Sequence, residues 1–272
     1  FKIVTASTGL EEGVITPEST FNCTGSMVVG GRTIKCWRYP RTHGTQTFAE
    51  GVRNSCNPVF MAVAERIGAD TFYDYMIKFG FAEKTGIDLN GEAVGILHKK
   101  DDIGPVELAT MSFGQTFQIT PIQLLRAAAA VVNGGKLITP HFAIKTVDDN
   151  GFTVNTFEWP EGERVISEET SATMREILES VVAEGTGNKA QVEGYRIGGK
   201  TATSQKLPRG SGKYIASFMS FAPADDPQVM ALVLIDEPEG VYYGGTVAGP
   251  VMRDLLTNIL PYLNIEKTAD FE

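Results

Sequence analysis

The chain is short of cysteine and histidine, of positive charge and of long apolar runs, and each shortage closes off a class of function. Its three cysteines, Cys23, Cys36 and Cys56, are too few and too scattered in sequence for a disulfide scaffold or a zinc motif. His43, His98 and His141 show no ligand spacing, so neither a metal nor a cofactor is expected. Cys23 and Cys36 flank a Gly30-Gly31 turn, and a hairpin there would bring them together, either as a disulfide in an oxidising compartment or as two reduced apolar side chains. A formal charge of -9 leaves no basic stripe for a phosphate backbone, which argues against nucleic acid as a partner. No apolar run reaches the roughly 18 residues of a membrane span. The start Phe1-Lys2-Ile3-Val4 has neither an initiator Met nor the layout of a signal peptide, so the sequence reads as an excised piece whose anchor would lie upstream.

What remains is a globular chain of 272 residues and 42% hydrophobic composition, without repeats, low-complexity blocks or a linker. One domain over residues 1–272 is the expectation. A short apolar helix runs from Ile3 to about Leu10, a turn-rich stretch reaches Gly44, and a helical region from Thr47 to Ile67 is interrupted at Asn57-Pro58. Thr120-Pro121 and Ser167 open two further helices, each closed by glycine. Beyond Gly185 the pattern turns to strands, at Tyr195 to Thr203, Tyr214 to Phe221 and Val229 to Ile235, and a last helix begins near Pro250. Short turns between the strands predict an α+β fold, an antiparallel sheet covered by helices.

The tract Gly194 to Thr203 carries two readings. Gly194, Gly199, Lys200 and Thr201 satisfy the phosphate-loop pattern G-x-x-x-x-G-K-[ST]. That loop needs a buried strand before it and a helix after Lys200, whereas the residues that follow are rich in Thr, Ser, Pro and Gly. The alternative is a strand on which Lys200, Thr201, Ala202 and Thr203 border a groove; a plain edge strand with a solvated lysine is the bland version of it.

Other motifs favour the groove. Ser55-Cys56-Asn57, Thr45-Gln46-Thr47-Phe48-Ala49, Ser112-Phe113-Gly114-Gln115, Ile119-Thr120-Pro121-Ile122-Gln123, Gly199 to Thr203 and Tyr243-Gly244-Gly245-Thr246-Val247-Ala248-Gly249-Pro250-Val251, in this order and nearly end to end, resemble the transpeptidase domain of class B penicillin-binding proteins. The subgroup looks like the division and spore-cortex enzymes of Gram-positive bacteria.

The resemblance implies a peptidoglycan D,D-transpeptidase that attacks a stem peptide through a serine acyl-enzyme and binds β-lactams. It implies a place on the extracytoplasmic face of the cell membrane, with division or sporulation membrane proteins as partners. By position, Lys2 would be the base, its pKa lowered by burial and by the charge of Lys200. Ser55 would relay a proton and Asn57 would bind the substrate amide and orient Lys2; either residue alone would read as a helix cap. Lys200, Thr201 and Thr203 would receive the terminal carboxylate, and the Thr203 amide would supply half of an oxyanion hole. Ala202 stands where the family usually has glycine and puts β-lactam affinity in doubt.

The nucleophilic serine is expected three residues before Lys2, ahead of Phe1, and no lysine in the chain has a serine at that spacing. As given, the chain is expected not to acylate. Strands of the family fold that precede the serine are expected to leave a sheet edge and part of the core exposed, lowering stability. A non-catalytic β-lactam sensor or scaffold is the competing class; a class D type β-lactamase would need a deacylation base, and none can be identified.

Overall fold

The computed structural model describes residues 1–160, 162–208 and 210–267. In chain order the elements are α1 (Lys2–Glu11), β1 (Thr20–Cys23), β2 (Ser26–Val29), β3 (Arg32–Lys35), β4 (Gly44–Thr47), α2 (Phe48–Arg53), α3 (Asn57–Ile67), α4 (Ala69–Lys78), α5 (Pro105–Met111) and α6 (Pro121–Val132). There follow β5 (Lys136–Leu137), β6 (Lys145–Val147), β7 (Thr153–Thr156), β8 (Glu163–Arg164), α7 (Glu168–Ala183), β9 (Gly198–Gln205), β10 (Tyr214–Ala222), β11 (Val229–Asp236) and α8 (Gly244–Tyr262).

Helix α1 is central. Seven consecutive residues, from Ile3 to Gly9, are buried, so this short helix is surrounded rather than laid on a surface. Its polar side chains are satisfied locally or across the core: Thr5 donates to the Ser112 carbonyl at 2.7 Å and Thr8 to the Val4 carbonyl at 2.8 Å. A Cβ at Gly9 would lie 2.8 Å from the Val63 side chain, so the glycine sets how closely α1 and α3 approach. The first core joins α1 to α3, α4, α6 and α7 through Ile3, Val4, Val59, Phe60, Met76, Val131 and Leu178. A smaller core, with Ile197, Phe218, Met252 and Leu256, lies between the sheet and α8.

The main sheet is antiparallel in the order β11-β10-β9, with Lys200 opposite Met219 and Ile215 opposite Asp236. Within the described residues β11 and β9 each pair on one side only, and Leu234 on β11 is 43% exposed. Four two-stranded pairs complete the β structure, including the β2–β3 hairpin, whose Gly30 and Gly31 take φ of 52° and 75° as a two-residue turn with positive φ requires.

Several boundaries differ from expectation for identifiable reasons. The turn-rich stretch before Gly44 contains β1, β2 and β3, four residues each. The helical break falls at Asn54 to Cys56, and Asn57-Pro58 opens α3, the placement a proline tolerates best. Helix α8 starts at Gly244 and contains Pro250. A Cβ at Gly244 would stand 2.1 Å from the Ala202 carbonyl oxygen and 2.5 Å from that of Ser217; one at Gly245 would stand 2.4 Å from the Thr186 carbonyl. The glycine pair therefore presses the helix onto β9 and β10. Gly244→Ala is expected to destabilise the protein by about 1–3 kcal/mol, read as a lower denaturation midpoint with unchanged m-value.

The same geometry removes the phosphate-loop reading. Gly198, Gly199, Lys200 and Thr201 all lie within β9, which continues as strand to Gln205 where a phosphate loop would turn into a helix. Gly198 and Gly199 are small because the Phe221 ring and the Met219 carbonyl occupy the space a Cβ would take, at 2.2 and 2.7 Å.

Candidate active site

Lys2 enters the site from the first turn of α1. Its Nζ donates to the Ser55 carbonyl at 2.7 Å, to Ser55 Oγ at 3.0 Å and to Asn57 Oδ1 at 2.7 Å. The Phe60 ring centroid lies 5.1 Å from the amine. Burial lowers the Lys2 pKa to about 8, while charge interactions with Cys36 and then Cys56 oppose the shift. The Lys200 charge, expected to act alongside burial, is not among the leading causes.

The tight turn before α3 brings Ser55 and Asn57 to this amine. Ser55 takes a left-handed conformation, φ 53°, uncommon for a residue with a side chain and held here by its surroundings. Cys56, not Ser55, is the N-cap residue of α3, and it makes no side-chain cap bond. Neither Ser55 nor Asn57 therefore acts as a helix cap; both oxygens face Lys2. The amide nitrogen of Asn57 donates to the Lys35 carbonyl at 3.3 Å, fixing which way the side chain points.

Lys200 is 6% exposed on β9, and no carboxylate pairs with it among the described residues. Its Nζ donates to the Thr201 carbonyl at 3.2 Å. Burial first, and then the charge of Lys2, push its pKa well below the usual lysine value.

The hydroxyls of the strand have partners of their own. Thr201 Oγ1 lies 3.2 Å from Thr186 Oγ1, and Thr203 Oγ1 accepts from the Gly244 amide at 3.0 Å. Each retains a proton or lone pair, but both sit on the α8 side of β9 and alternate with Lys200 and Ala202. Ala202 is exposed, so its methyl faces open space and not packed protein.

Two participants were not singled out in the sequence. Phe60 follows Asn57 by three residues and so shares its helix face, a relation that periodicity could have shown. Thr186 donates to the Arg53 carbonyl at 3.3 Å and meets Thr201, tying α2 to β9. Its signal is the surrounding Gly185-Thr186-Gly187: a Cβ at Gly185 would stand 2.9 Å from the Arg53 carbonyl.

The cysteines also end up differently from their sequence spacing. All three are buried and free of disulfides, and Cys23, Cys36, Cys56 and His43 present ligand atoms within 4.8 Å of one another. Residues that looked scattered form one cluster directly behind Ser55 and Asn57.

An α+β fold with this lysine, serine and asparagine facing a lysine-bearing strand defines a class. Residues 1–257 match the family model described as penicillin binding protein transpeptidase domain, and the chain belongs to that family. It is 46% identical over 272 residues to stage V sporulation protein D of Bacillus subtilis, covering 98% of this chain and 42% of that protein. It is 33% identical to penicillin-binding protein PbpB of Mycolicibacterium smegmatis, covering 99% and 43%. Penicillin-binding protein 3 of Mycobacterium tuberculosis, solved with ampicillin, superposes with a TM-score of 0.90 at 28% identity, covering 99% of this chain and 62% of that one. The chain thus spans less than half the length of these two curated relatives.

Proposed function

We propose that this chain is the acyl-transfer domain of a peptidoglycan D,D-transpeptidase, acting on stem peptides and acylated by β-lactams. The observation that carries this reading is the Lys2 amine, held by Ser55 and Asn57 with a pKa near 8. At neutral pH a group of that pKa is neutral roughly a tenth of the time, enough to accept a proton from a serine hydroxyl. Ser55 Oγ, 3.0 Å away, would pass the proton to the leaving amine. Asn57 holds the protonated amine and, with Thr203, faces the substrate amide and carbonyl. Lys200, buried without a carboxylate of its own, would take that of the substrate.

The attacking hydroxyl would belong to the residue three before Lys2, in the space bordered by Lys2 and Lys200. The proposal extends to an extracytoplasmic location and to division or sporulation membrane proteins as partners, in keeping with the names of the relatives. Incubation with a labelled penicillin followed by peptide mapping tests it. A covalent adduct on that upstream serine is expected in a protein extended to include it, and none on residues 1–272 alone. An adduct on any residue from Phe1 onward would overturn the assignment; stable acylation with no cross-linking of stem peptides would favour the sensor reading.

A further inference from the structure

Behind the Ser55-Cys56-Asn57 turn, four ligand-bearing side chains converge from four separate segments. Cys23 ends β1, Cys36 follows β3, His43 precedes β4, and Cys56 opens α3. We propose that Cys23, Cys36, His43 and Cys56 form a structural zinc site that clamps the serine–asparagine turn to the β1–β4 pair and the β2–β3 hairpin.

The chemistry of the donor set fits zinc. Three thiolates and one imidazole are a standard tetrahedral ligand set, with Zn–S near 2.3 Å and hence sulfurs about 3.8 Å apart. The ligand atoms already lie within 4.8 Å of one another, so small side-chain movements close the tetrahedron. No carboxylate belongs to the cluster, and such a soft donor set disfavours calcium and magnesium. The cluster is also closed, because the three cysteines are buried and His43 is half-buried, leaving no open coordination position of the kind a catalytic zinc keeps.

The cluster is polar and incompletely satisfied by protein partners. His43 Nδ1 lies 3.6 Å from Cys36 Sγ, while its Nε2 is buried without a partner. The Cys36 thiol is lowered to about 5, first by a hydrogen bond from Cys56 and also by backbone amides and His43; the same bond and burial push Cys56 up. Zinc binding would expel the thiol protons of the three cysteines.

The backbone holds the ligands in place. Cys23 is in register with Gly44, the neighbour of His43, and the Cys36 amide donates to the Gly25 carbonyl at 2.9 Å. Lys35, next to Cys36, accepts from Asn57, next to Cys56, at 3.3 Å. A metal joining Cys36 to Cys56 would therefore fix the separation of two strands of chain that already meet at Asn57.

The test is independent of penicillin acylation, so failure here leaves the transpeptidase reading standing. The protein is purified under reduction, stripped with a chelator and titrated with zinc against a chromophoric competitor, with Co2+ as a spectroscopic substitute. Expected are one zinc per chain, intense visible cobalt bands with a near-ultraviolet thiolate band, and a thermal midpoint that rises by several degrees with zinc. Cys36→Ser and His43→Ala are each expected to weaken zinc binding by about tenfold or more. Absence of zinc uptake, a weak six-coordinate cobalt spectrum, tight binding retained in His43→Ala, or recovery of the folded protein with two of the cysteines disulfide-bonded and inert to zinc would overturn the proposal. If the variants do not fold, the cobalt spectrum of the unaltered protein decides alone.

Discussion

Lys2→Met, made in a protein extended upstream to include a serine three residues before Lys2, is expected to slow acylation by penicillin by about 10²–10⁴-fold, the usual contribution of a positioned proton acceptor. Methionine keeps most of the apolar stem against Phe60 but cannot accept a proton. The pH dependence follows from the lowered pKa: only the neutral amine is competent, so the rate should rise with pH through about 8 and gain roughly tenfold between pH 7 and 9. The sign for stability is the same. Between about 8 and the ordinary 10.5 the unfolded chain binds more protons than the folded one, so stability rises with pH in that window, and Lys2→Met should remove that slope. Stopped-flow acylation and urea melts across pH give both readings. A flat rate profile from pH 6 to 9 would sink the assignment of Lys2 as the base.

Much of this was legible because the informative signals are local. Strands β9, β10 and β11 announce themselves by alternation between turn residues, and α6 by Thr120 and Gln123, which form a reciprocal cap at its start. Lys2, Ser55, Asn57 and Lys200 could be named from motif order, although motif order says nothing of burial, and burial is what lowers the pKa of both lysines. What could not be read depends on distant partners. Gly244-Gly245 looks like a helix breaker, and only the approach of the Ala202 and Thr186 carbonyls explains why a helix begins there. Likewise the cysteine cluster arises from the β1–β4 pairing, which closes a long loop that no ligand spacing encodes. The alternation of Thr201 and Thr203 away from Lys200 follows from strand geometry and was open to inspection, but the bonds that engage their hydroxyls, to Thr186 and Gly244, were not.

Lys200→Met should separate recognition from folding more sharply than any other change. Lys200 is a buried cation that lacks a carboxylate partner within the described protein, an arrangement that costs stability and makes sense only if an anion arrives from outside. Removing one member of a buried charge pair costs about 2–5 kcal/mol, so acylation efficiency toward a carboxylate-bearing β-lactam should fall about 30-fold or more. Stability should not fall with it. Methionine fills a similar volume without the desolvated charge, and the thermal midpoint is expected to hold or rise, most clearly below the ordinary lysine pKa, where the wild-type protein must bury a proton or release it. The decisive comparison is between a penicillin and its methyl ester. In the wild-type protein the free acid should be strongly preferred, whereas in Lys200→Met the preference should shrink toward unity because the ester never made the interaction that was lost. Because the Lys2 charge also depresses Lys200, the variant should raise the affinity of Lys2 for its proton only slightly, leaving the acylation profile centred near pH 8. Undiminished preference for the free acid would mean that the carboxylate is read elsewhere on β9, with the Thr201 and Thr203 hydroxyls as the groups to change next.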